Sequence, residues 1–294
     1  MRILIIVCFL TISCLNNNKV LPEAVGSGSE IIFVVEDSIW TSKMRSIVLE
    51  IFEASFKGIS QNESVFTVVQ INHSEFKSIL KTHKNIVILS NKSASSKKNK
   101  WATDQLVVQL NYRDILLRDN LIKVKSIFEY KEISSIRKEI SKKSQKSVEK
   151  SIYSKFNIDL IFPREYTILM DTANFFWATY NPKNKEIIKH LFVFSFSYVG
   201  DSLQQESLLR VDSIFAKYLL GNKKGQYVKV EPSFPISYFE NTIKGLWRLE
   251  NGFMGGPFII KSYSDKVKKV VTVGLVFDPN KSKRQHMKIF ESIL

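Results

Sequence analysis

Residues 245–258 read Gly-Leu-Trp-Arg-Leu-Glu-Asn-Gly-Phe-Met-Gly-Gly-Pro-Phe, and no other stretch constrains the fold as strongly. Glycine accepts positive φ and close backbone approach, so Gly252, Gly255 and Gly256 mark a sharp turn or a crowded backbone. Pro257 withholds an amide from any sheet ladder. Residues 246–251 alternate polar and apolar side chains, and 258–263 resume an extended apolar run. The pattern predicts a β-hairpin with a glycine-rich connection. A second reading stands beside it, in which consecutive free amides form a nest for a carboxylate or phosphate against an apolar wall. The candidate binding residues are Trp247, Gly252, Phe253, Gly255, Gly256, Pro257 and Phe258.

At the other end, Arg2 precedes an apolar run over residues 3–12, well short of the ~20 residues a spanning helix needs. That pattern predicts a signal peptide over 1–14. Leu10-Thr11-Ile12-Ser13-Cys14 resembles a bacterial lipobox, with Thr11 where leucine is usual. The resemblance implies that Cys14 becomes the acylated, palmitate-bearing first residue of the mature chain, with membrane lipid as its partner. An ordinary cleaved leader with an incidental cysteine is the alternative. Residues 15–30 are polar and end in Val-Gly-Ser-Gly-Ser, as a flexible tether would. Cys8 and Cys14 are the only cysteines, so the folded part excludes a disulfide framework, a thiolate zinc site and a cysteine nucleophile.

The net charge is +15, carried by 34 lysines but only 9 arginines. The lysines fall in short clusters: Lys97, Lys98 and Lys100; Lys142, Lys143, Lys146 and Lys150; Lys266, Lys268 and Lys269; Lys281 and Lys283 with Arg284. Base reading favours arginine, and single-strand binding interleaves aromatics with the charge; neither pattern is present, so nucleic acid is a weak candidate. Solvated faces are the simpler account, with anionic lipid headgroups as the nearest counter-charge for a tethered protein.

The periodicities divide the folded chain into an N-terminal unit over 31–155 and a C-terminal domain over 156–294. In the first, strands are expected at 31–36, 66–71, 85–89 and 105–110, with helices at 38–56 and 74–81. Residues 91–100 read as a loop, and 112–156 as two helices meeting near Tyr130, the second strongly basic. In the second, 156–166 reads as a strand ending in a proline turn, followed by strands at 167–170, 174–180 and 187–198, a helix at 202–220, a strand at 227–230, the hairpin, a strand at 270–277 and a helix at 282–293. The expected fold class is α+β: an N-terminal α/β-type unit followed by an antiparallel-sheet domain with helices packed on it.

Sites of common chemistry are not spelled out. There is no Gly-x-Ser-x-Gly elbow, no His-Glu-x-x-His helix, no Walker loop and no dinucleotide glycine motif, so no catalytic residue, metal site or cofactor is assigned. Of the four histidines, His83 sits where a helix C-terminus is expected and reads as a cap. Glu36 and Asp37 end the first strand, a usual place for ligands in α/β units, or else begin the next helix. An enzyme of hydrolase type would have to assemble scattered groups, with Glu36, Asp37, His83 and Glu250 as the alternative polar site.

Several blocks together resemble predicted lipoproteins of Bacteroidota grouped as a domain of unknown function. They are residues 32–40 with the acidic pair and Trp40, Lys81-Thr82-His83-Lys84-Asn85-Ile86, Trp101 with Gln105-Leu106-Val107-Val108, Ile161-Phe162-Pro163-Arg164-Glu165-Tyr166, and the hairpin stretch. Gly252 stands where that family's pattern has an aspartate. The C-terminal half is also similar to the PsbP/Mog1-like sandwich. These resemblances imply a lipid-anchored protein in the cell envelope facing the periplasm, acting as a non-catalytic binding or envelope-assembly module, with envelope proteins as candidate partners. They imply no oligomeric state and no activity.

Overall fold

Strands that are apolar at every position must be buried on both faces, which is the situation of a parallel sheet covered on each side. The computed structural model describes residues 20–200, 202–264 and 268–294, with Ser42 described in its backbone only. The expected signal peptide, Cys14 and residues 15–19 therefore lie outside the described residues. In the first half, β1 (Glu30–Val34), β2 (Thr67–Ile71), β3 (Asn85–Ser90) and β5 (Leu106–Asn111) run parallel in the order β2-β1-β3-β5. Ile31, Phe33 and Val35 enter one core, while Ile32 and Val34 enter another on the opposite face. The first face is covered by α1 (Ser42–Phe52) and α2 (Leu117–Ser141).

A second, antiparallel sheet follows α3 (Lys146–Phe156). Its members are β6 (Thr167–Asp171), β7 (Phe175–Tyr180), β8 (Ile188–Ser197), β9 (Val228–Val230), β10 (Ser237–Phe239), β11 (Thr242–Leu249), β12 (Gly255–Ser264) and β13 (Lys268–Phe277). The order is β10-β11-β12-β13-β8-β7-β6, with β9 paired to the far end of β11. Alternation again sorts the side chains. Leu191 and Val193 of β8 face the core shared with the first half, whereas Phe192 and Phe194 face α4 (Leu203–Tyr218). The terminal helix α5 (Lys283–Ile293) lies on β12 and β13, and Phe290 sits so close to Gly274 that an added Cβ there would come within 2.4 Å of its ring.

The fold is α+β, and one apolar core runs from the parallel sheet through the helices to the antiparallel sheet. Helix α2 packs on α5 at the junction. Charged groups cross it too. Glu63 accepts from the Lys283 and Arg284 amides at 2.8 and 3.2 Å and from the Ser282 hydroxyl, capping α5 from the first half. Arg137 of α2 donates to the Ser292 carbonyl at 2.6 Å.

Besides the short unexpected strand β10, several segments depart from the sequence reading. Residues 91–100 are not all loop: Ser95–Lys98 forms β4, an exposed antiparallel edge strand on β5. Its pairing comes from the buried neighbour, not from its own weak propensity, and its lysines blunt the edge. The break near Tyr130 is absent. No glycine or proline interrupts α2, Tyr130 lies on its exposed face, and the helix ends only at Ser141. Residues 157–166 are not a strand but a buried irregular segment. Asn157 turns left-handed (φ 54°) to end α3, and Ile158, Leu160, Ile161 and Phe162 then thread into the core. The Ile161 amide is satisfied by the Ile293 carbonyl and the Phe162 amide by Glu149. The helix expected at 74–81 is a 3-10 turn over Ser78–Thr82.

Candidate functional site

Residues 20–30, read from sequence as tether, are strapped to the parallel sheet. The Thr103 amide donates to Pro22 (2.8 Å), Ala24 to Thr103 (3.1 Å), Val25 to Thr82 (3.0 Å) and Lys84 back to Val25 (2.9 Å). Gly26 takes φ +84° directly over the His83 ring, where a Cβ would lie 2.1 Å from Nε2. Only glycine fits there. His83 closes the 3-10 turn, as a cap was expected to, but its ring is also the floor on which the strap rests.

Two buried amides hold this latch. Asn85 donates to the Gly28 and Glu30 carbonyls at 2.8 and 3.1 Å, and Gln105 donates to the Lys81 and His83 carbonyls at 2.6 and 2.8 Å. Gln105 also accepts from the Trp101 amide at 2.9 Å. Buried backbone groups away from a sheet ladder need such partners. The blocks 81–86 and 101–108 thus form one structural unit whose product is a docked strap.

The strap walls a cleft of about 1130 Å³, completed by the start of β3, the loop before β5, one face of α2 and the first turns of α5. Six cations line it, Lys84, Lys131, Lys138, Lys142, Arg284 and Lys288, against four carboxylates, Glu23, Asp104, Glu132 and Glu139. The imbalance is sharpest at its base. Glu132 (side chain 10% exposed) is shared by Arg284 (13%), which reaches both oxygens from Nη2 at 3.0 and 3.2 Å, and by Lys288 (4%) at 3.5 Å. Arg284 Nε is buried with no hydrogen-bond partner. Lys131 (19%) adds a third cation, 3.3 Å from Asn85 Oδ1 and 3.9 Å from the half-exposed Asp104. Burial pulls the Lys131 ammonium below the usual lysine range, with Asp104 opposing that pull. Three sequestered cations, two sharing the sequestered Glu132 and one with only a distant, half-exposed acid, leave a place for negative charge, because burying charge is costly unless it is paired.

The residues singled out from sequence are placed as follows. Trp247 and Phe258 belong to the core under α4, and Pro257 is buried in β12. Pro257 costs no ladder bond: pairing of β12 with β13 begins at Phe258, and the carbonyl of Leu246, opposite Pro257, accepts from the Glu231 amide. Gly255 and Gly256 lie in the strand, and a Cβ on Gly256 would meet the Val276 carbonyl oxygen at 2.0 Å. The positive φ of the connection belongs to Asn251 (55°) instead of a glycine. Of the seven candidates only Phe253 stands fully in solvent.

The alternative polar residues do not converge. Glu36 pairs with His73 at 3.1 Å, and Asp37 accepts from Gln70 and Asn72 at 3.0 and 2.9 Å, tying the end of β1 to β2. Neither caps α1, whose N-cap is Thr41. His83 lies near the start of β3, and Glu250 follows β11 in the other half, between Lys229 and Arg248, each 2.9 Å away. The Lys229 hydrogen bond, aided by Arg248, keeps the Glu250 carboxyl below its usual pKa. Among the described residues no group of three His, Cys, Asp or Glu side chains is arranged to hold a metal ion.

Sequence reasoning missed the cleft residues. Lys283 and Arg284 read as part of a solvated cluster, yet Lys283 and Lys288 are buried and Arg284 nearly so. The available signal was the i, i+4 spacing of Arg284 and Lys288, which puts both on one face of α5; their acid, Glu132, is some 150 residues away.

Residues 144–294 match the family described as "Domain of unknown function (DUF4837)", and residues 24–141 match "Domain of unknown function (DUF8532)". No curated protein matches the chain.

Proposed function

Because the chain belongs to the DUF4837 family, its activity must be argued from its own residues, and we propose that it is a membrane-tethered binding module whose cleft takes an anionic ligand. One observation carries the ligand class: at the base of the cleft Arg284 and Lys288 share the one carboxylate of Glu132, and Lys131 lines the same cleft with only the half-exposed Asp104, 3.9 Å away, as its acid. The membrane half of the proposal rests on the leader, the lipobox-like 10–14 and the likeness to predicted lipoproteins of Bacteroidota, which together favour a palmitate-bearing Cys14 and a periplasmic body. Envelope assembly is the corresponding role, and the PsbP/Mog1-like reading of the C-terminal half belongs to the same proposal. A hydrolase built on Glu36, Asp37, His83 and Glu250 has less support, since those groups occupy three separate places.

The docked strap gives the proposal a geometric consequence. Six links separate Cys14 from Val20, a reach of at most ~22 Å, so an acylated Cys14 would hold the cleft close to the bilayer surface. The test is thermal unfolding with inorganic phosphate titrated at constant ionic strength. Saturation is expected to raise Tm by several degrees, following RT ln(1 + [L]/Kd), and the Lys131→Met, Lys288→Met double variant should lose that response. Absence of any shift at millimolar phosphate would remove the ligand reading. Incorporation of labelled palmitate into the wild type but not into Cys14→Ser checks the anchor separately.

A further inference from the structure

The turn joining β11 to β12 is built more firmly than an exposed loop requires. The Gly252 amide donates to Leu249 (3.2 Å) and the Leu249 amide to Met254 (2.8 Å), with Asn251 in left-handed backbone between them. The turn is also tied sideways to the loop 221–226. Gln226 Nε2 donates to the Asn251 carbonyl at 2.7 Å, and Asn251 Nδ2 donates to the Gly225 carbonyl at 3.1 Å. The second loop closes on itself through Gln226 N to Lys223 O and Lys223 N to Gln226 Oε1, both 3.1 Å.

What this double turn presents is unusual for the molecule. Among the described residues only Phe239 and Phe253 are exposed phenylalanines, and Phe253 is fully so. Leu220, at the root of the second loop, is also exposed. Lys223 and Lys224 lie at its crest, and neither has a carboxylate within ion-pair distance among the described residues. The nearest acids by sequence are already engaged, Glu231 by Arg248 and Ser233 and Asp212 by the Val230 amide, and Glu250 beside the turn is held by Lys229 and Arg248. A hydrogen-bonded pair of turns carrying one bare aromatic ring and, on the adjoining loop, two unneutralised lysines suits an interface that is apolar a few ångströms in and negative at its surface.

We propose that this tip is a second, non-covalent membrane contact, in which Phe253 enters the interfacial layer of an anionic bilayer while Lys223 and Lys224 meet headgroup phosphates. The contact is separate from the cleft and does not require the acyl group. Its orientation is fixed by the hydrogen bonds between the two turns, so the ring and both ammonium groups meet the surface together.

The test is co-sedimentation of the mature polypeptide from Leu15 onward, without its acyl group, with vesicles of phosphatidylcholine alone or mixed with phosphatidylglycerol. Binding is expected on the mixed vesicles only. Lys223→Gln and Lys224→Gln should each weaken it about fivefold, and Phe253→Ser about tenfold or more. Lys97→Gln with Lys98→Gln, a comparably exposed pair on β4, should leave it unchanged. The proposal is overturned if the parent ignores anionic vesicles, or if Phe253→Ser binds as the parent does, which would mean adsorption of general positive charge. Phosphate titration of the cleft reads out independently, so either result stands whatever the other shows.

Discussion

The cleft at the α2–α5 junction and the core under α4 stand at the two ends of one contrast: they treat polar groups in opposite ways. At the cleft, charged side chains are drawn inside and held against each other: Glu132 with Arg284 and Lys288, and Lys131 on Asn85. Under α4, the interior is aromatic, with Phe175, Trp177, Phe192, Phe215, Phe258 and Trp247 in one cluster. At that end His190 packs against Trp177 and Phe192, and the Trp177 indole donates to its Nδ1 at 3.2 Å. Burial lowers its pKa from 6.5 to about 4. The difference teaches where function can reside. A saturated aromatic core has nothing left to offer a ligand except what protrudes from it, whereas a sequestered charge imbalance is itself an offer.

The largest expected effect tests the charged end. Glu132→Leu strands Arg284 and Lys288 without their carboxylate, and breaking a buried pair from one side costs about 3–5 kcal/mol. Urea unfolding measures it. The comparison sharpens if phosphate restores part of the loss and stabilises the variant more than the wild type, since the incoming anion would replace the missing carboxylate. A loss under 1 kcal/mol would mean that water already solvates the base of the cleft, and the contrast between the two ends would fail.

The next effect probes the aromatic end by pH. His190 has a folded pKa below its unfolded value, so its contribution to stability is complete above pH 6.5 and is lost as pH falls toward about 4, below which it stays constant. The full difference amounts to about 3 kcal/mol, and residual exposure of the ring edge trims this to roughly 2 kcal/mol. Carboxylates titrate over the same range, so the readout is the difference between wild type and His190→Gln, which retains an acceptor for Trp177. If the two stability profiles are parallel from pH 7 to 4, the ring is protonated inside the fold, and the aromatic end tolerates charge after all.

The same contrast explains what the sequence discloses. The hairpin, β8 and α4 were legible because each carries its burial in a local period, with Phe192 and Phe194 alternating against Leu191 and Val193. The lysine-rich face of α5 was not legible, because a lysine that pairs across 150 residues is spelled like one that faces water. Residues 20–30 read as tether for a related reason: their partners are the backbone carbonyls and amides of Thr82, Lys84 and Thr103, which composition does not show. Ser95–Lys98 lacks strand-forming residues, and β5 alone makes it a strand. The candidate binding hairpin was found, but burial inverted its roles, taking Trp247 and Phe258 inward and leaving Phe253 outside.

The smallest effect belongs to the protruding tip and asks whether its rigidity matters. Asn251 holds left-handed backbone at φ 55° and bonds to Gly225, so Asn251→Ala pays for the strained conformation and loses the cross-link, together about 1 kcal/mol. Asn251→Gly keeps the backbone preference while losing the same side-chain bond, so it should cost only a few tenths of a kcal/mol. If vesicle binding falls in both variants, the tie to the second loop is what aligns Phe253 with Lys223 and Lys224. If it falls only with alanine, the backbone turn alone sets the ring. Equal binding by both variants and the parent would show that the tip needs no preorganisation, and that an exposed aromatic end, unlike the charged one, works without a fixed geometry.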